Sequence, residues 1–499
     1  MIELKRMLFR LLLKVVLTIA GPLFLSNCSL AKEPMLADSP RPSELKISPS
    51  GHYFTYRGKT VMLVGDSGTQ CVLQNLNTNY QAWIDDLNKR GIKAAHVWAF
   101  VAPRQKQDGS KVEQRYGYVY PGATPWKRKT SGPKATDQLY QWDLTQFDEG
   151  SDRNKHYWPR IRDIASYTKH KGMCLGITLF FGWPKHDESN RNDWIFHPFH
   201  KANGGHLTDK TDTVHIHSPG TEVFGKSWSD SWPKAKKTQW IWERYCQKMI
   251  NELSPYRNVF FVYKDERSYE RDGWQDNMDD HIVDFFRRRG SLVLVDWKSQ
   301  RDVVDVIVQA SHRTDKNSLS VKGFNDRPAR PVVLFEGHPY TLGHRDVRIS
   351  MWTYSIGGGH FFFHDDEKQG TRITGIMGYD PQVTGGVKPL TTYDWLGHLS
   401  RFFNERVENL DAMSPLNKLI VSGRAYCLAN PGHEYLVYQP TSKKAFRVSL
   451  KAGTYRFEWF DPRSGKIAAT GTITAKGYDQ IFNAPFEGDA VVYLKLISN

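Results

Sequence analysis

Between residues 61 and 363 the chain alternates short, uniformly apolar runs with longer segments whose apolar positions recur every three to four residues. The uniform runs fall at 61–64, ending in Gly65 and Asp66, then at 94–100, 174–181, 258–263, 292–296, within 303–310, and at 331–335 and 360–363. A run without polar alternation predicts a strand covered on both faces, as in a parallel sheet wrapped by helices. The periodic segments predict the helices. Tyr80, Trp83, Ile84 and Leu87 share one face before Gly91 stops the helix; 157–167 is amphipathic and ends before Gly172; 240–253, 281–286 and 347–354 continue the pattern. Eight such strands with helices between them, over 51–410, predict a (β/α)8 TIM barrel of the α/β class. An open doubly wound sheet is the alternative, weakened because no glycine-rich nucleotide fingerprint follows the first strand.

From residue 411 the pattern changes to short alternating strands, at 419–422, 435–439, 446–450, 455–460, 467–473 and 490–496. Turns such as Lys451-Ala452-Gly453 and Asp461-Pro462-Arg463-Ser464-Gly465 punctuate them, so 411–499 reads as a small C-terminal antiparallel β-sandwich. Two barrel connections are long, 101–150 and 182–236, and carry Tyr116, Tyr118, Tyr120, Trp126, Trp183, Trp194, Trp228 and Trp232. Loops of this length are commonly binding walls, and flat aromatic faces suit stacking on sugar rings. Packing within the loops is the competing role for each.

Composition alters this picture mainly at the N-terminus. A hydrophobic content of 39% and mean hydropathy of −0.56 are those of a soluble globular chain. Lys5, Arg6, Arg10 and Lys14 precede the apolar stretch 15–25, which has the length of a signal-peptide core and is too short to span a bilayer. Residues 1–31 therefore read as an export signal cut after Ala31, with 32–50 a Pro- and Ser-rich tether. Leu25-Ser26-Asn27-Cys28 also resembles the lipobox of bacterial lipoproteins, which would attach a lipid anchor at Cys28. Removing the leader takes four basic residues and one acid from the formal charge of +15, leaving +12. An exported protein this basic is drawn to anionic material such as sulfated or uronic polysaccharide; a solvated basic surface is the plainer reading. No nucleic-acid reader motif is present, and nucleic acid is not an expected partner. Cys71, Cys174, Cys246 and Cys427 lack metal-ligand spacing and are expected to be buried free thiols.

The candidate chemistry sits at strand ends. Glu336 directly follows the run 331–335, and Lys264, Asp265 and Glu266 follow 258–263. Catalytic groups of (β/α)8 barrels lie at the carboxyl ends of the strands. Two carboxylates facing one cavity are the minimum for breaking a glycosidic bond: one protonates the leaving oxygen while the other attacks or stabilises the anomeric carbon. For either Glu alone, a rim salt bridge is the alternative. Asp66, His96, Trp98, His312, Arg313, His338 and Tyr340 also lie on or just after these strands and are expected to shape a substrate pocket. The planar fork of Arg313 suits a sulfate or carboxylate.

Three stretches in this order, HYFTYRGKTVMLVGDS at 52–67, WDLTQFDEGSDRNKHYWPRIRDIASYTKHKGM at 142–173 and WFDPRSG at 459–465, resemble the apiosidase-like glycoside hydrolases. The resemblance runs from about residue 52 to the C-terminus. It implies a clan-A-type barrel followed by a β-sandwich that bears a collagen-binding label, although nothing in these residues supports collagen binding. It further implies that the acid/base is a Glu preceded by Asn after the fourth strand, and the nucleophile a Glu after the seventh, matching Glu266 and Glu336. Asp265 stands where Asn is expected. An ionised Asp265 cannot donate to a sugar hydroxyl, and its charge raises the pKa of its neighbour, which would help keep Glu266 protonated; Asp265 is itself the alternative acid.

No cofactor or metal is expected. His197, His200, His206, His215 and His217 crowd one connection and raise the possibility of zinc, but no HExxH or Cys-rich pattern accompanies them. Asp365-Asp366-Glu367 reads as a solvated acidic turn, with Ca²⁺ the alternative. A serine-hydrolase elbow is absent. The function class these residues favour is an exported, retaining glycoside hydrolase acting on a plant or algal polysaccharide or its oligosaccharides. A non-catalytic carbohydrate-binding surface protein that has kept the barrel is the second reading.

Overall fold

The computed structural model describes residues 43–67, 72–76, 78–100, 122–180, 196–207, 232–264, 284–291, 293–296, 307–310, 315–337, 344–363, 391–441 and 444–498. Three short antiparallel strands come first: β1 (Leu45–Ile47), β2 (Phe54–Tyr56) and β3 (Lys59–Val61). Val61 pairs with Phe54 across the Arg57-Gly58 turn, so the parallel sheet starts later than its apolar run suggested, at β4 (Val64–Asp66). It continues through β5 (Ala94–Trp98). Next comes a hairpin, β6 (Trp126–Arg128) and β7 (Trp142–Phe147), inside a segment the sequence offered only as a connection. Then follow β8 (Cys174–Phe180), β9 (Val259–Lys264), β10 (Val293–Asp296), β11 (Ile307–Ala310), β12 (Val332–Gly337) and β13 (His360–Phe363). Apart from the β6–β7 hairpin, these strands pair in parallel and close a ring in the order β10-β11-β12-β13-β4-β5-β8-β9.

Helices α1 (Tyr80–Lys89), α2 (Tyr157–His170), α3 (Trp232–Leu253), α4 (Asn317–Phe324), α5 (His344–Ile356) and α6 (Thr391–Arg401) cover the sheet, with a further helical turn at 284–287. The Asn79 side chain caps α1 by accepting from the Ala82 N–H, and Gly91 follows its end with φ +82°, a backbone conformation that suits glycine. Helices α4 and α6 had no counterpart among the periodic segments. The first is only eight residues long and the second is interrupted by Gly397.

Alternate strand residues divide between two cores. Val64, Ala95, Val97, Leu175, Ile177, Val259, Phe261, Val332, Leu334, Phe361 and Phe363 pack with the helices. Ala94, Cys174, Phe260, Val262, Val333, Phe335 and Phe362 fill the ring interior with Leu63, which directly precedes β4, and Leu45, Phe54 and Tyr56 of the first hairpin join them. The interior fits because large rings meet missing side chains. A Cβ on Gly65 would lie 2.4 Å from Phe362 Cε1, and one on Gly176 would lie 2.6 Å from Phe260 Cζ and 2.9 Å from His96 Cδ2.

After Ala412 the strands are antiparallel: β14 (Ser414–Pro415), β15 (Ile420–Ser422), β16 (Tyr426–Asn430), β17 (Glu434–Gln439), β18 (Phe446–Ser449), β19 (Gly453–Asp461), β20 (Lys466–Ala475), β21 (Asp479–Phe482) and β22 (Ala490–Ser498). They form a six-stranded sheet, β14-β16-β17-β22-β19-β20, and a three-stranded sheet, β15-β18-β21. Cys427, Tyr435, Val437, Phe446, Trp459, Phe482 and Val492 belong to the core of this pair of sheets. Leu428, Leu436, Tyr438, Phe460, Val491 and Tyr493 belong instead to the helical core, where Trp352 of α5 stacks on Tyr438 at 5.7 Å. The centre of the larger sheet is thus buried on both faces, every residue of β17 being buried, while its edge strand β20 is largely exposed.

A buried ion pair crosses this junction. Arg348 of α5 contacts Asp489 at 2.6 Å, with side-chain exposures of 5% and 0%; the Tyr438 hydroxyl donates to the same carboxylate at 3.2 Å. The Arg348 guanidinium also lies 4.4 Å from the centre of the Trp395 ring. Cys174, Cys246 and Cys427 are buried free thiols, and burial pushes Cys427 up to about 12; Cys71 lies outside the described residues. Among the described residues no helix is long and apolar enough to cross a membrane.

Two outcomes follow from this packing. Gly176→Ala should cost about 1–3 kcal/mol in denaturant unfolding, because its methyl has no room beside Phe260 and His96; wild-type stability would show the ring interior to be loose. Arg348→Leu should cost about 3–5 kcal/mol by leaving the Asp489 charge buried without its cation, and the double variant with Asp489→Leu should be less destabilised than the single one.

Candidate active site

Parallel pairing around the ring turns the carboxyl ends of all eight strands to one face. β9 ends at Lys264, and the next two residues, Asp265 and Glu266, lie outside the described residues. Glu336 is the penultimate residue of β12, three places round the ring from β9. A bulge interrupts β12 just before it. Against β11 the register passes from Gln309↔Leu334 to Ala310↔Glu336, and against β13 it passes from Leu334↔Phe361 to Gly337↔Phe363. Leu334 packs with the helices, and the extra residue interrupts the alternation of β12 after it. Bulges of this kind are common beside active sites.

Directly beneath this face the ring interior holds a polar chain. His96 of β5 is fully buried, with Phe335 and Trp98 at ring distances of 4.8 and 5.2 Å. The Ser67 hydroxyl donates to the Phe335 carbonyl at 2.8 Å, which spends its only proton. Its oxygen therefore accepts from His96 Nδ1 at 3.1 Å, and in the neutral ring Nε2 accepts from the Thr178 hydroxyl of β8 at 2.7 Å. Sequence reasoning singled out His96 but missed Ser67 and Thr178. The available signal was faint: Thr178 is the one hydroxyl in the apolar run of β8, on the parity of Gly176.

The other expected pocket residues are used differently. Asp66 is fully buried, and its Oδ2 accepts from Trp83 Nε1 of α1 and the Tyr393 hydroxyl of α6, each at 2.7 Å. That carboxylate ties β4 to two helices in the outer layer. Trp98 lies on the inward parity of β5 but is only 2% exposed. His312, Arg313, His338 and Tyr340 lie outside the described residues, as do the aromatic residues Tyr116, Tyr118, Tyr120, Trp183, Trp194 and Trp228. Trp126 is 3% exposed and packs against Phe100, Phe199 and Tyr245, so for this ring packing prevails over sugar stacking. Arg160 of α2, also missed, donates to the carbonyls of Val72, Asn75 and Thr78 and so braces the chain that leaves β4 on the same face.

Of the histidine-rich connection, His197 Nδ1 accepts from the Phe199 N–H at 3.1 Å and His200 Nδ1 from the Ala202 N–H at 3.2 Å, so both rings serve a turn. His215 and His217 lie outside the described residues, as do Asp365, Asp366 and Glu367. Among the described residues no group of three or more His, Cys, Asp or Glu side chains could hold a metal ion.

Comparison with known proteins bears on the fold. Residues 415–494 match the family described as "Putative collagen-binding domain of a collagenase". No curated protein matches. Among solved structures, a glycoside hydrolase of family 5 from Bacteroides vulgatus superposes with TM-score 0.57 at 13% identity, covering 91% of this chain and 93% of its own. A second structure described as a glycoside hydrolase gives 0.56 at 14% identity, over 91% and 97%. A third, a "putative glycoside hydrolase" also from Bacteroides vulgatus, gives 0.60 at 11%, over 92% and 84%. At these identities the likeness establishes the fold: a mixed α/β fold built on parallel strands, followed by antiparallel sheets.

Burial holds His197 and His360 well below the ordinary histidine range, each to about 3; His360 Nδ1 accepts from the Leu63 N–H at 2.9 Å. Their unfolded value lies near 6.5, so below it the unfolded chain binds more protons than the folded one. The stability these groups confer is complete above pH 6.5 and is lost as pH falls towards 3, by up to about 1.4 kcal/mol per unit for each histidine. Denaturant midpoints measured from pH 7 to 4.5 should fall accordingly. His360→Asn, which keeps an acceptor for Leu63, should flatten the slope; an unchanged slope would remove His360 from the account.

Proposed function

We propose that this chain is an exported O-glycosyl hydrolase of (β/α)8 barrel architecture, akin to the apiosidase-like enzymes, that cleaves a polysaccharide or its oligosaccharides. Glu336 attacks the anomeric carbon while Glu266 protonates the leaving oxygen; Glu266 then activates the water that releases the product, with retention of configuration. Asp265 favours the protonated form of Glu266 through its charge. His338, Tyr340, His312 and Arg313 line the sugar subsite, Arg313 facing a sulfate or carboxylate in keeping with the net positive charge of the mature chain. The leader is removed after Ala31 on export; a lipid anchor at Cys28 is the alternative.

The observation that carries the reading is the shared face of β9 and β12, with the bulge of β12 falling just before Glu336. The likeness to solved glycoside hydrolases over about nine-tenths of the chain supports it.

The test is a panel of neutral, sulfated and uronic polysaccharides assayed with wild type and Glu336→Ala. The variant should lose turnover and keep binding, and Glu266→Gln should lower turnover by roughly 10²–10⁴-fold. Anomeric NMR of early products should show retention. Binding without turnover by the wild type would replace the enzyme with a carbohydrate-binding protein, and full activity in Glu336→Ala would remove that residue from the mechanism.

A further inference from the structure

We infer that the hydrogen-bond chain Thr178–His96–Ser67 is a positioning device for the end of β12: it clamps the Phe335 carbonyl at the bulge and so fixes the backbone from which Glu336 is presented. The catalytic part of this inference rests on the reading of Glu336 given above; the clamp itself does not.

Phe335 is skipped in both registers of β12, since Leu334 and Glu336 take the β11 partners and Leu334 and Gly337 take those of β13. A buried peptide group that leaves the ladder needs another partner, or it costs the folded state a desolvated carbonyl. Ser67, directly after β4 and two places round the ring, supplies one. Its own backbone is fixed, because the Ser67 N–H donates to the Phe363 carbonyl at 2.6 Å and prolongs the β4–β13 pairing. The hydroxyl rotor is fixed as well. With His96 Nδ1–H donating to its oxygen, the remaining hydroxyl proton is directed to Phe335. His96 is held in that tautomer from its far side by Thr178, and its ring has no room to turn, with Phe335, Trp98 and Gly176 packed around it.

The chain thus joins β8, β5, β4 and β12 through the interior of the ring, by side chains that sheet pairing does not require. Side chains on or just after three strands of the ring hold one carbonyl of a fourth, and that carbonyl immediately precedes the candidate nucleophile. None of the three side chains needs to touch substrate for the effect to operate. Displacing a reacting group by about 1 Å can cost about 10²-fold in rate, so a loose bulge would be read in turnover before it is read in folding.

The experiment uses the full chain with Ser67→Ala and Thr178→Val, and Thr178→Ser as the conservative control. Amide hydrogen exchange is followed across 331–340 and, as an internal reference, across 446–482. Exchange in 331–340 should quicken in Ser67→Ala and Thr178→Val, return towards wild type in Thr178→Ser, and stay unchanged in 446–482. On a 4-nitrophenyl glycoside turned over by the wild type, kcat should fall by roughly tenfold or more with KM within about twofold, a split that general destabilisation would not produce. Wild-type exchange in 331–340 for Ser67→Ala would overturn the clamp. Faster exchange with unchanged kcat would overturn its catalytic role while leaving the clamp in place. Loss of turnover in Ser67→Ala alongside full activity in Glu336→Ala would fault the assignment of Glu336 rather than the clamp.

Discussion

A ring of parallel strands closes only if the side chains turned inward fill its interior, and here glycine and phenylalanine divide that task. Gly65 and Gly176 leave the volume that Phe362, Phe260 and the His96 ring occupy. Dense packing of this sort transmits position: a ring that cannot tilt holds its neighbours at fixed distances. His96 is therefore in place for polar work before any hydrogen bond is formed. The hydroxyls of Ser67 and Thr178 then complete a buried network whose described members each have a partner, the condition under which polar groups inside a core specify a unique arrangement.

The same constraint separates two kinds of strand-end acid. Asp66 and Glu336 both stand near the carboxyl ends of their strands, and sequence position alone gives them equal standing. Asp66 keeps the regular alternation of β4, faces the helical layer and is consumed by Trp83 and Tyr393. Glu336 comes after a bulge that breaks the alternation of β12. The two strands thus differ in backbone register where their acids stand, a difference invisible in residue type.

These particulars also mark how far the sequence could be read. The strands of the ring were legible because burial on both faces leaves uniform apolar runs, and Glu336 was legible as the acid that ends one of them. The start of β4 was misjudged because Val61 belongs to a hairpin whose pairing with Phe54 depends on a turn rather than on hydrophobicity. The β6–β7 hairpin hid in a polar stretch held by Arg128, which bonds Asp137 and stacks over Trp142. The bulge left no local trace, since it exists only as a mismatch with two neighbouring strands distant in sequence. Ser67 and Thr178 went unnoticed for a related reason: a hydroxyl acquires meaning from the atom across the ring. Trp126 was ambiguous between sugar platform and core until Phe100, Phe199 and Tyr245 surrounded it.

The six-stranded C-terminal sheet has apolar side chains above and below, one set meeting the smaller sheet and the other meeting α5 and the segment after α6. A module attached in this way is a keel rather than a trailer. Severing it would strip water-excluding cover from Trp352 and Phe402 and expose Arg348 without its counter-charge, so the solubility of the whole chain depends on the terminal strands.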